Sequence, residues 1–202
     1  MQDQEFNLPE GTDTEGTRGG IVSALFDVVE ILAFSLLTAL VIFTCFFRLC
    51  RVSGASMNNT FLDGQLLVTH NVFYTPEQGD VIVFHMTSDK VPRYNEPMIK
   101  RVIATEGQTV RIDYGAKQVY VDGVALEEDY VHLLYDKYYL APDYGFDHQS
   151  GIFEATVPEG HLFVMGDNRN NSADSRQSEI GFIDRRRILG KVILRVAPFT
   201  TY

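Results

Sequence analysis

The amino-acid sequence predicts a mainly β protein, an antiparallel β-sheet domain that follows one N-terminal transmembrane helix. Two observations predict this fold. An apolar run without charges lies near the N-terminus, and short apolar stretches separated by Gly, Pro, Asp and Asn fill the rest of the chain. A length of 202 residues suits one globular domain with a membrane segment. We therefore divide the chain into a disordered acidic tail (1–20), a transmembrane helix (21–50) and a β-rich domain (51–202).

The acidic tail contains Gly, Thr, Asp and Glu and few apolar side chains. Such a composition buries too little apolar surface to offset the entropy of folding, so we expect disorder there. Its only cation is Arg18. A cleaved secretory signal usually begins with a basic region. We therefore favour an uncleaved membrane anchor over a cleaved signal sequence for the apolar run that follows.

The apolar run has no charged residue from 31 to 47, close to the roughly 17–20 residues that a membrane-spanning helix needs. Its apolar character begins earlier, at Ile21, where the sequence also contains Asp27 and Glu30. Because carboxylates are costly in lipid, we expect these two side chains at or near a membrane interface.

The rest of the chain has the pattern of a β-sheet domain. Short apolar stretches between turn-forming residues favour strands over helices. The predicted strands lie at 66–68, 80–84, 99–104, 109–112, 118–121, 162–165 and 191–196. Asp122-Gly123 predicts a tight hairpin, because a type I′ turn needs positive φ at both central residues.

Charge and cysteine content exclude several classes of protein. The formal net charge is −10, whereas nucleic-acid binding rests on a basic surface, so no nucleic-acid partner is expected. Cys45 and Cys50 both lie at the end of the apolar run, which indicates neither a disulfide framework nor a metal cluster. No metal ion and no organic cofactor are expected.

Three polar features could carry chemistry. Ser56 lies among small residues, Lys100 follows the apolar Met98 and Ile99, and the segment 166–176 is dense in Asn, Asp, Ser and Arg. A serine hydroxyl becomes a nucleophile when a base takes its proton. A lysine can be that base once burial in an apolar pocket lowers its pKa. Taken singly, a solvated turn serine, an exposed strand lysine and a surface turn are the ordinary interpretations.

In this order, the three segments resemble type I signal peptidases, the bacterial leader peptidases of serine protease family S26. The resemblance covers 52 to about 84, 98–110 and 162–192. The positions that match the nucleophile segment of the family are Val52, Gly54, Ser56, Met57 and Thr60. Asn59 stands where the family usually has a proline, which loosens the turn and leaves the nucleophile assignment intact.

The resemblance implies a Ser-Lys dyad, with Ser56 as nucleophile and Lys100 as general base. It further implies that Ser172 orients Lys100 and that an ion pair between Asp174 and Arg176 holds the polar segment. Gly54 lies in the oxyanion region, where some family members have a hydroxyl side chain. Besides the Ser56 backbone N–H, the second oxyanion donor stays open between the Gly54 backbone, Ser53 and water.

The implied activity is removal of N-terminal signal peptides from exported preproteins. The resemblance implies that the substrate binds as an added β-strand, with small side chains before the cut. The expected substrate-binding residues are Val52, Met57, Phe61, Met98 and Ile99. The partners are then secretory preproteins and the lipid bilayer.

The resemblance also implies a single-pass protein of the cell membrane, with a cytoplasmic tail and an extracytoplasmic catalytic domain. Charge predicts the reverse orientation. Arg48 and Arg51 follow the apolar run, while only Arg18 precedes it, and cytoplasmic flanks usually carry the excess of cations. We follow the resemblance for the orientation.

Three alternatives stay open. A Ser-His-Asp triad would need one of five histidines, His70, His85, His132, His148 and His161, to reach the serine. A self-cleaving Ser-Lys repressor would need a DNA-binding segment where this chain has an apolar helix. A membrane-anchored binding module without activity would fit the departures at Asn59 and Gly54. The aromatic-rich insert at 125–160 is expected to pack on the core, with contact to lipid headgroups as the alternative.

Overall fold

The computed structural model describes residues 15–87, 95–131 and 144–197. The chain separates into two compact units, an N-terminal helical unit that ends at Cys45 and a β unit that begins at Phe46. The prediction of a mainly antiparallel β fold with one N-terminal apolar helix is confirmed.

The helix α1 spans Glu15–Phe46, and its segment Val22–Phe46 is long and apolar enough to cross a membrane. Four hydroxyls on this segment donate hydrogen bonds to carbonyls one turn earlier, so they carry no unsatisfied donor into an apolar environment. These hydroxyls belong to Ser23, Ser35, Thr38 and Thr44.

The bounds of this helix differ from the expected ones at both ends. Residues 15–20 are helical rather than part of a disordered tail, and residues 1–14 lie outside the described residues. At the other end the helix stops at Phe46, and Phe47–Arg51 forms a strand. The strand forms because all five of its residues pair with Leu66–His70, and such tertiary pairing overrides the helical preference of an apolar run.

Twelve strands form two antiparallel sheets. Their bounds are β1 Phe47–Arg51, β2 Leu66–His70, β3 Val81–His85, β4 Pro97–Thr105, β5 Thr109–Asp113, β6 Gln118–Val121, β7 Val124–Ala125, β8 Phe146–Asp147, β9 Ile152–Thr156, β10 His161–Met165, β11 Ile183–Asp184 and β12 Ile188–Ala197. The first sheet has the order β1-β2-β12-β3-β4-β10-β11, and the second has the order β7-β6-β5-β9-β8. A short 3-10 helix, Arg185–Arg187, precedes β12.

All seven predicted strands are present. The Asp122-Gly123 hairpin also forms, with positive φ at both residues. The sequence did not predict β1, β7, β8, β9 and β11.

The core consists of three apolar clusters. One lies under the second sheet, around Phe153 and Phe163. A second surrounds Phe84 and Leu162. The third packs between β1, β2, β3 and β4, around Leu67, and it forms the apolar floor of the site described below.

Part of the aromatic-rich insert packs on the core, as predicted. Tyr144 stacks edge-on against Phe153 and Phe182 and donates a hydrogen bond to the carbonyl of Ser175. Phe146 packs on the same cluster. The tyrosines at 135, 138 and 139 lie outside the described residues.

Candidate active site

Ser56 lies in the segment that connects β1 to β2. Two backbone hydrogen bonds close the base of this segment, from Val52 N to Gln65 O and from Gly64 N to Val52 O, both at 2.9 Å. Gly54 lies in this segment with φ of 86°, a conformation that glycine adopts without steric cost. The segment is therefore a defined turn that presents Ser56 at its surface.

Lys100 lies on β4, where it pairs with Ile82 of β3. Its side chain is 3% exposed. The Lys100 Nζ atom lies 2.9 Å from Ser56 Oγ and 2.9 Å from the carbonyl oxygen of Ile99. The structure thus brings the predicted nucleophile and the predicted base into hydrogen-bond contact.

Burial lowers the pKa of the Lys100 amine to about 8, because desolvation disfavours the charged form. The charge of Arg176 acts in the same direction, whereas Asp174 and Asp167 oppose it. A substantial fraction of the amine is therefore neutral near physiological pH, and a neutral amine can accept a proton.

The polar segment 166–176 follows β10 and holds the serine turn in place. Asn168 donates from its backbone N–H to the Ser56 carbonyl and from its Nδ2 to the Ala55 carbonyl, both at 3.0 Å. The Asp167 carboxylate accepts a hydrogen bond from the Thr60 hydroxyl. It also forms a bidentate pair with Arg101, at 2.8 and 2.6 Å. One loop thus fixes both the nucleophile segment and the strand that carries the base.

The predicted ion pair between Asp174 and Arg176 is present and fully buried, with the Arg176 Nε and Nη2 atoms each 2.8 Å from a carboxylate oxygen. Burial opposes ionisation of Asp174, but Arg176 and the Gly166 N–H together keep its pKa below the ordinary value. Arg176 also donates to the carbonyl of Arg169 at 3.0 Å. The pair therefore closes the polar segment on itself.

Sequence reasoning missed two residues that contact this network from outside the motif. Glu128 forms a bidentate pair with the buried Arg169, at 2.6 and 3.0 Å. The Tyr130 ring stacks on the guanidinium of Arg101, with 3.8 Å between the Arg101 Cζ atom and the ring centroid. Both residues come from the turn after β7, and no local signal in the sequence marks them.

Ser172 is buried. The Lys100 amine bonds to Ser56 and Ile99, and the Ser172 hydroxyl is one of the groups that keep the pKa of Asp174 below its ordinary value. A methyl group on Gly166 would collide with Ser172 Oγ and with the Ser56 carbonyl oxygen. Ser172 thus sits at the Ser56 segment, and its role in orienting Lys100 stays a prediction.

The backbone of Gly54 is not a free oxyanion donor. Its N–H donates to Asp63 Oδ1 at 2.8 Å, so this alternative for the second donor is removed. Ser53 lies on the wall of the cleft beside Ser56. Ser53 and water remain as candidates.

A cleft of about 320 Å³ opens over Ser56 and Lys100. Beyond Ser56 and Lys100, its walls contain the predicted residues Val52, Met98 and Ile99, together with Cys50, Glu96 and Asn171, which were not predicted. The predicted residues Met57 and Phe61 are not among the residues that line it. They belong to the apolar cluster below it, because their side chains pack inward under the serine turn.

No histidine in the described ranges lies within hydrogen-bond distance of Ser56, whose hydroxyl bonds to Lys100. The described histidines, His70, His85, His148 and His161, lie on or beside strands and do not line the cleft. This arrangement disfavours a Ser-His-Asp triad among the described residues.

The chain is also similar in sequence to known proteins. The family model for signal peptidase, peptidase S26, matches residues 25–197. The chain is 39% identical over 153 residues to the probable signal peptidase I-1 of Synechocystis sp., which covers 73% of this chain and 69% of that protein. It is 32% identical over 182 residues to signal peptidase I of Leptolyngbya laminosa, with coverage of 87% and 81%.

Two more distant similarities complete the comparison. The chain is 32% identical over 165 residues to signal peptidase IB of Staphylococcus aureus (strain COL), with coverage of 75% of this chain and 78% of that protein. Among solved structures, a signal peptidase I from Enterococcus faecalis V583 aligns with a TM-score of 0.40 at 29% identity. That alignment covers 59% of this chain and 98% of the solved one.

Proposed function

Because this chain belongs to the signal peptidase family, peptidase S26, we propose that it is a membrane-anchored serine endopeptidase with a Ser56-Lys100 dyad. Its substrates are exported preproteins, from which it removes the N-terminal signal peptide. The observation that carries the proposal is the 2.9 Å hydrogen bond between Lys100 Nζ and Ser56 Oγ in a buried, apolar setting.

The reaction follows from this contact. The neutral Lys100 amine accepts the hydroxyl proton while Ser56 Oγ attacks the scissile carbonyl carbon. The protonated amine then gives its proton to the leaving amino group, and the C–N bond breaks. A water molecule, deprotonated by the same lysine, then attacks the acyl carbon. As the bond between that carbon and Ser56 Oγ breaks, the lysine returns the proton to Ser56 Oγ and the signal peptide leaves with a free carboxylate. Lys100 ends the cycle neutral.

The oxyanion formed during attack needs preorganised donors. The backbone N–H of Ser56 is the first donor, and the Ser53 hydroxyl or a water molecule supplies the second. Asn168 supports this arrangement, because its two hydrogen bonds fix the carbonyls of Ala55 and Ser56. The Ser172 hydroxyl, buried at the Ser56 segment, orients the lysine amine during proton transfer.

The cleft suits an extended peptide. β10 pairs with β4 only from Arg101 to Thr105, while β3 pairs with the other edge of β4 at Pro97–Arg101. The first residues of β4, from Pro97 to Lys100, therefore present one open strand edge beside the cleft. A substrate strand can bind there through main-chain hydrogen bonds, with its apolar side chains against the apolar wall of the cleft.

The apolar helix supports attachment to a membrane. A tethered enzyme meets a membrane-bound preprotein at raised effective concentration, which favours cleavage next to the bilayer. We place the β unit on the extracytoplasmic face, where signal peptides of exported proteins emerge. Arg48 and Arg51 would then lie just outside the membrane, against the usual charge bias.

A binding module without activity is the second candidate, since Asn59 and Gly54 depart from the family pattern. The buried lysine opposes it. Burial of an amine that does no chemistry is costly, and a surface position would avoid that cost.

The test is cleavage of a purified preprotein whose signal ends in Ala-x-Ala, with the new N-terminus identified by mass spectrometry. We expect a single cut directly after the second alanine. Replacing that alanine with leucine should abolish cleavage, because the family resemblance implies small side chains before the cut. Cleavage at scattered positions, or equal cleavage of both substrates, would refute the proposed specificity.

A further inference from the structure

Two charged side chains of opposite sign lie in the cleft over Ser56 and Lys100. The cleft is lined mainly by two runs of residues, 50–56 and 96–100. Arg51 belongs to the first run and Glu96 to the second, and both residues are exposed. Within the part of the chain that the structure describes, neither side chain forms a hydrogen bond or an ion pair.

The charges of the neighbouring polar segment, in contrast, are neutralised within the protein. Three arginine–carboxylate pairs with distances of 2.6–2.8 Å hold that segment: Arg101 with Asp167, Arg169 with Glu128, and Arg176 with Asp174. An unpaired charge in a concave site attracts ligands of the opposite sign, because the walls of the site focus its field. Arg51 and Glu96 are therefore the charges that a bound substrate meets.

The place of Glu96 in the chain indicates which part of a substrate it contacts. Glu96 directly precedes β4, whose first residues present the open strand edge, and it lies four positions before Lys100. A substrate paired with this edge places its scissile carbonyl at Ser56 and its preceding residues beside Met98 and Ile99. At a rise of about 3.3 Å per residue, about the fourth or fifth residue before the cut then lies beside Glu96.

Arg51 lies on the β1 side of the same cleft. It is the last residue of β1, which is an edge strand of the first sheet, and Val52 next to it is one of the expected substrate-binding residues. A substrate in the cleft therefore meets a positive charge from β1 and a negative charge from the β4 side.

We infer that Glu96 and Arg51 select substrates by the charge of side chains that precede the cut. Glu96 favours a lysine or arginine side chain at the substrate position beside it and disfavours an acidic one, and Arg51 has the reverse preference at its own position. Charge complementarity of this kind acts on specificity more than on overall affinity. The inference rests on the proposed function and deepens it, because it adds a selection by charge to the small side chains expected before the cut.

The test uses full-length protein in a nonionic detergent and a peptide substrate whose signal ends in Ala-x-Ala. Lysine or glutamate is placed singly at the residue between the two alanines and at each of the four residues before them. The measured quantity at each position is the ratio of kcat/KM for the lysine form to kcat/KM for the glutamate form. Glu96 also raises the pKa of Lys100, but this effect is common to all substrates and cancels in the ratio.

We expect one position with a ratio of about ten and another with a ratio of about one tenth. The reason is that an exposed charge pair changes an equilibrium by up to about fivefold, and attraction of one form adds to repulsion of the other. Both preferences should shrink at about 1 M sodium chloride, where the screening length falls to about 3 Å. Ratios near one at every position would overturn the inference. A preference that salt leaves unchanged would also overturn it, since such a preference reflects shape and not charge.

Substitutions assign each preference to its side chain. Glu96→Gln should bring the ratio of about ten close to one and leave the other ratio in place, and Arg51→Gln should do the converse. Glu127→Gln and Arg48→Gln are the matched controls, because both residues are exposed and neither lines the cleft. The controls should change neither ratio. Ratios that neither Glu96→Gln nor Arg51→Gln alters would overturn the inference.

A binding measurement separates this inference from the proposed function. Ser56→Ala lacks the nucleophile, so the Kd of labelled peptides for this variant can be measured by fluorescence anisotropy without cleavage. We expect the same two charge preferences in Kd. Charge preferences in binding without any cleavage by the wild type would support the selection and contradict the proposed function. Cleavage by the wild type with equal kcat/KM for the lysine and glutamate forms would do the reverse.

Discussion

Lys100 Nζ and Ser56 Oγ lie 2.9 Å apart although 44 positions separate the two residues in the chain. The lysine comes from β4 and the serine from the turn after β1, and three strands of the first sheet lie between β1 and β4. The contact therefore depends on the whole sheet and on the polar segment that ties the serine turn to it. The contact can therefore be tested by changing pH and by substituting residues that hold the two segments in place.

The first prediction concerns the pH dependence of cleavage. The lysine must be neutral to act as a base, and its pKa is lowered to about 8 by burial. We expect kcat/KM to rise about tenfold per pH unit below pH 8 and to level off above it, because this parameter follows the free enzyme. Initial rates from pH 6 to 9 measure this, with circular dichroism as the control for folding. A profile that is flat across this range would contradict the assignment of Lys100 as the base.

The second prediction concerns stability, and its sign follows from the same lowered pKa. Below pH 8, Lys100 is charged in both the folded and the unfolded chain, and the folded state carries the full cost of burying that charge. Between pH 8 and the ordinary lysine pKa of 10.5, the folded amine is neutral while the unfolded amine is still charged. Stability therefore rises through this window.

Lys100→Met isolates this effect, because other titrating groups cancel in the comparison. Relative to this variant, the wild type should gain on the order of 3 kcal/mol in unfolding free energy between pH 8 and 10.5. Denaturant unfolding of both proteins at several pH values measures the gain. If the difference in unfolding free energy between the two proteins stays constant from pH 8 to 10.5, burial does not lower the pKa of Lys100.

The third prediction is that Gly166→Ala disrupts the site. Its methyl group would collide with Ser172 Oγ and the Ser56 carbonyl oxygen, and a shift of about 1 Å near reacting groups can cost about 100-fold in rate. We expect cleavage to fall by about that factor, with a destabilisation of about 1–3 kcal/mol. Gly115→Ala is the matched control, since its nearest neighbour would be Asp113 Oδ1 at 3.3 Å. Full activity in the Gly166 variant would contradict the packing described here.

The fourth prediction assigns a positioning role to Glu128. Arg169 is fully buried, pairs with Glu128, and donates to the carbonyl of Gly166. Glu128→Gln removes the negative charge that neutralises the buried Arg169 guanidinium. We therefore expect the free energy of unfolding to fall by about 3 kcal/mol, together with a lower kcat at unchanged KM. Glu128→Asp should recover part of both.

Glu106→Gln is the control for Glu128, because its pair with Arg185 is exposed. It should change stability by at most about 0.5 kcal/mol and leave cleavage unaffected. Urea unfolding and steady-state kinetics of the three variants provide both measurements. Equal effects at Glu128 and Glu106 would argue against the positioning role.

Most of the strands could be predicted from the sequence, because short apolar stretches between turn residues are a local signal. β1 could not be predicted. Its apolar residues continue those of the helix, and periodicity alone does not separate a short buried strand from the end of an apolar helix. Phe47–Arg51 forms a strand because it pairs with β2. This pairing is a tertiary contact, which the local sequence does not show.

The pairing of Ser56 with Lys100 was predicted from motif resemblance, and the surroundings of the two side chains were only partly predicted. Glu128 and Arg169 are 41 positions apart, so no spacing rule relates them. The hydrogen bond from Gly54 N–H to Asp63 also escapes a sequence pattern, yet it removes one candidate oxyanion donor. Met57 and Phe61 were expected to bind substrate but pack into the core, because a motif fixes position in the chain and not the direction of a side chain.

The most direct test of the Ser56-Lys100 dyad compares full-length wild type, Ser56→Ala, Lys100→Met and Lys100→Arg in cleavage of one preprotein whose signal ends in Ala-x-Ala. The wild type should cleave. All three variants should remain folded and lose at least about 1000-fold in rate, the arginine variant included because its side chain stays charged. Turnover by Lys100→Met near the wild-type rate would contradict the dyad. Absence of cleavage by all four folded proteins would contradict the enzymatic function itself.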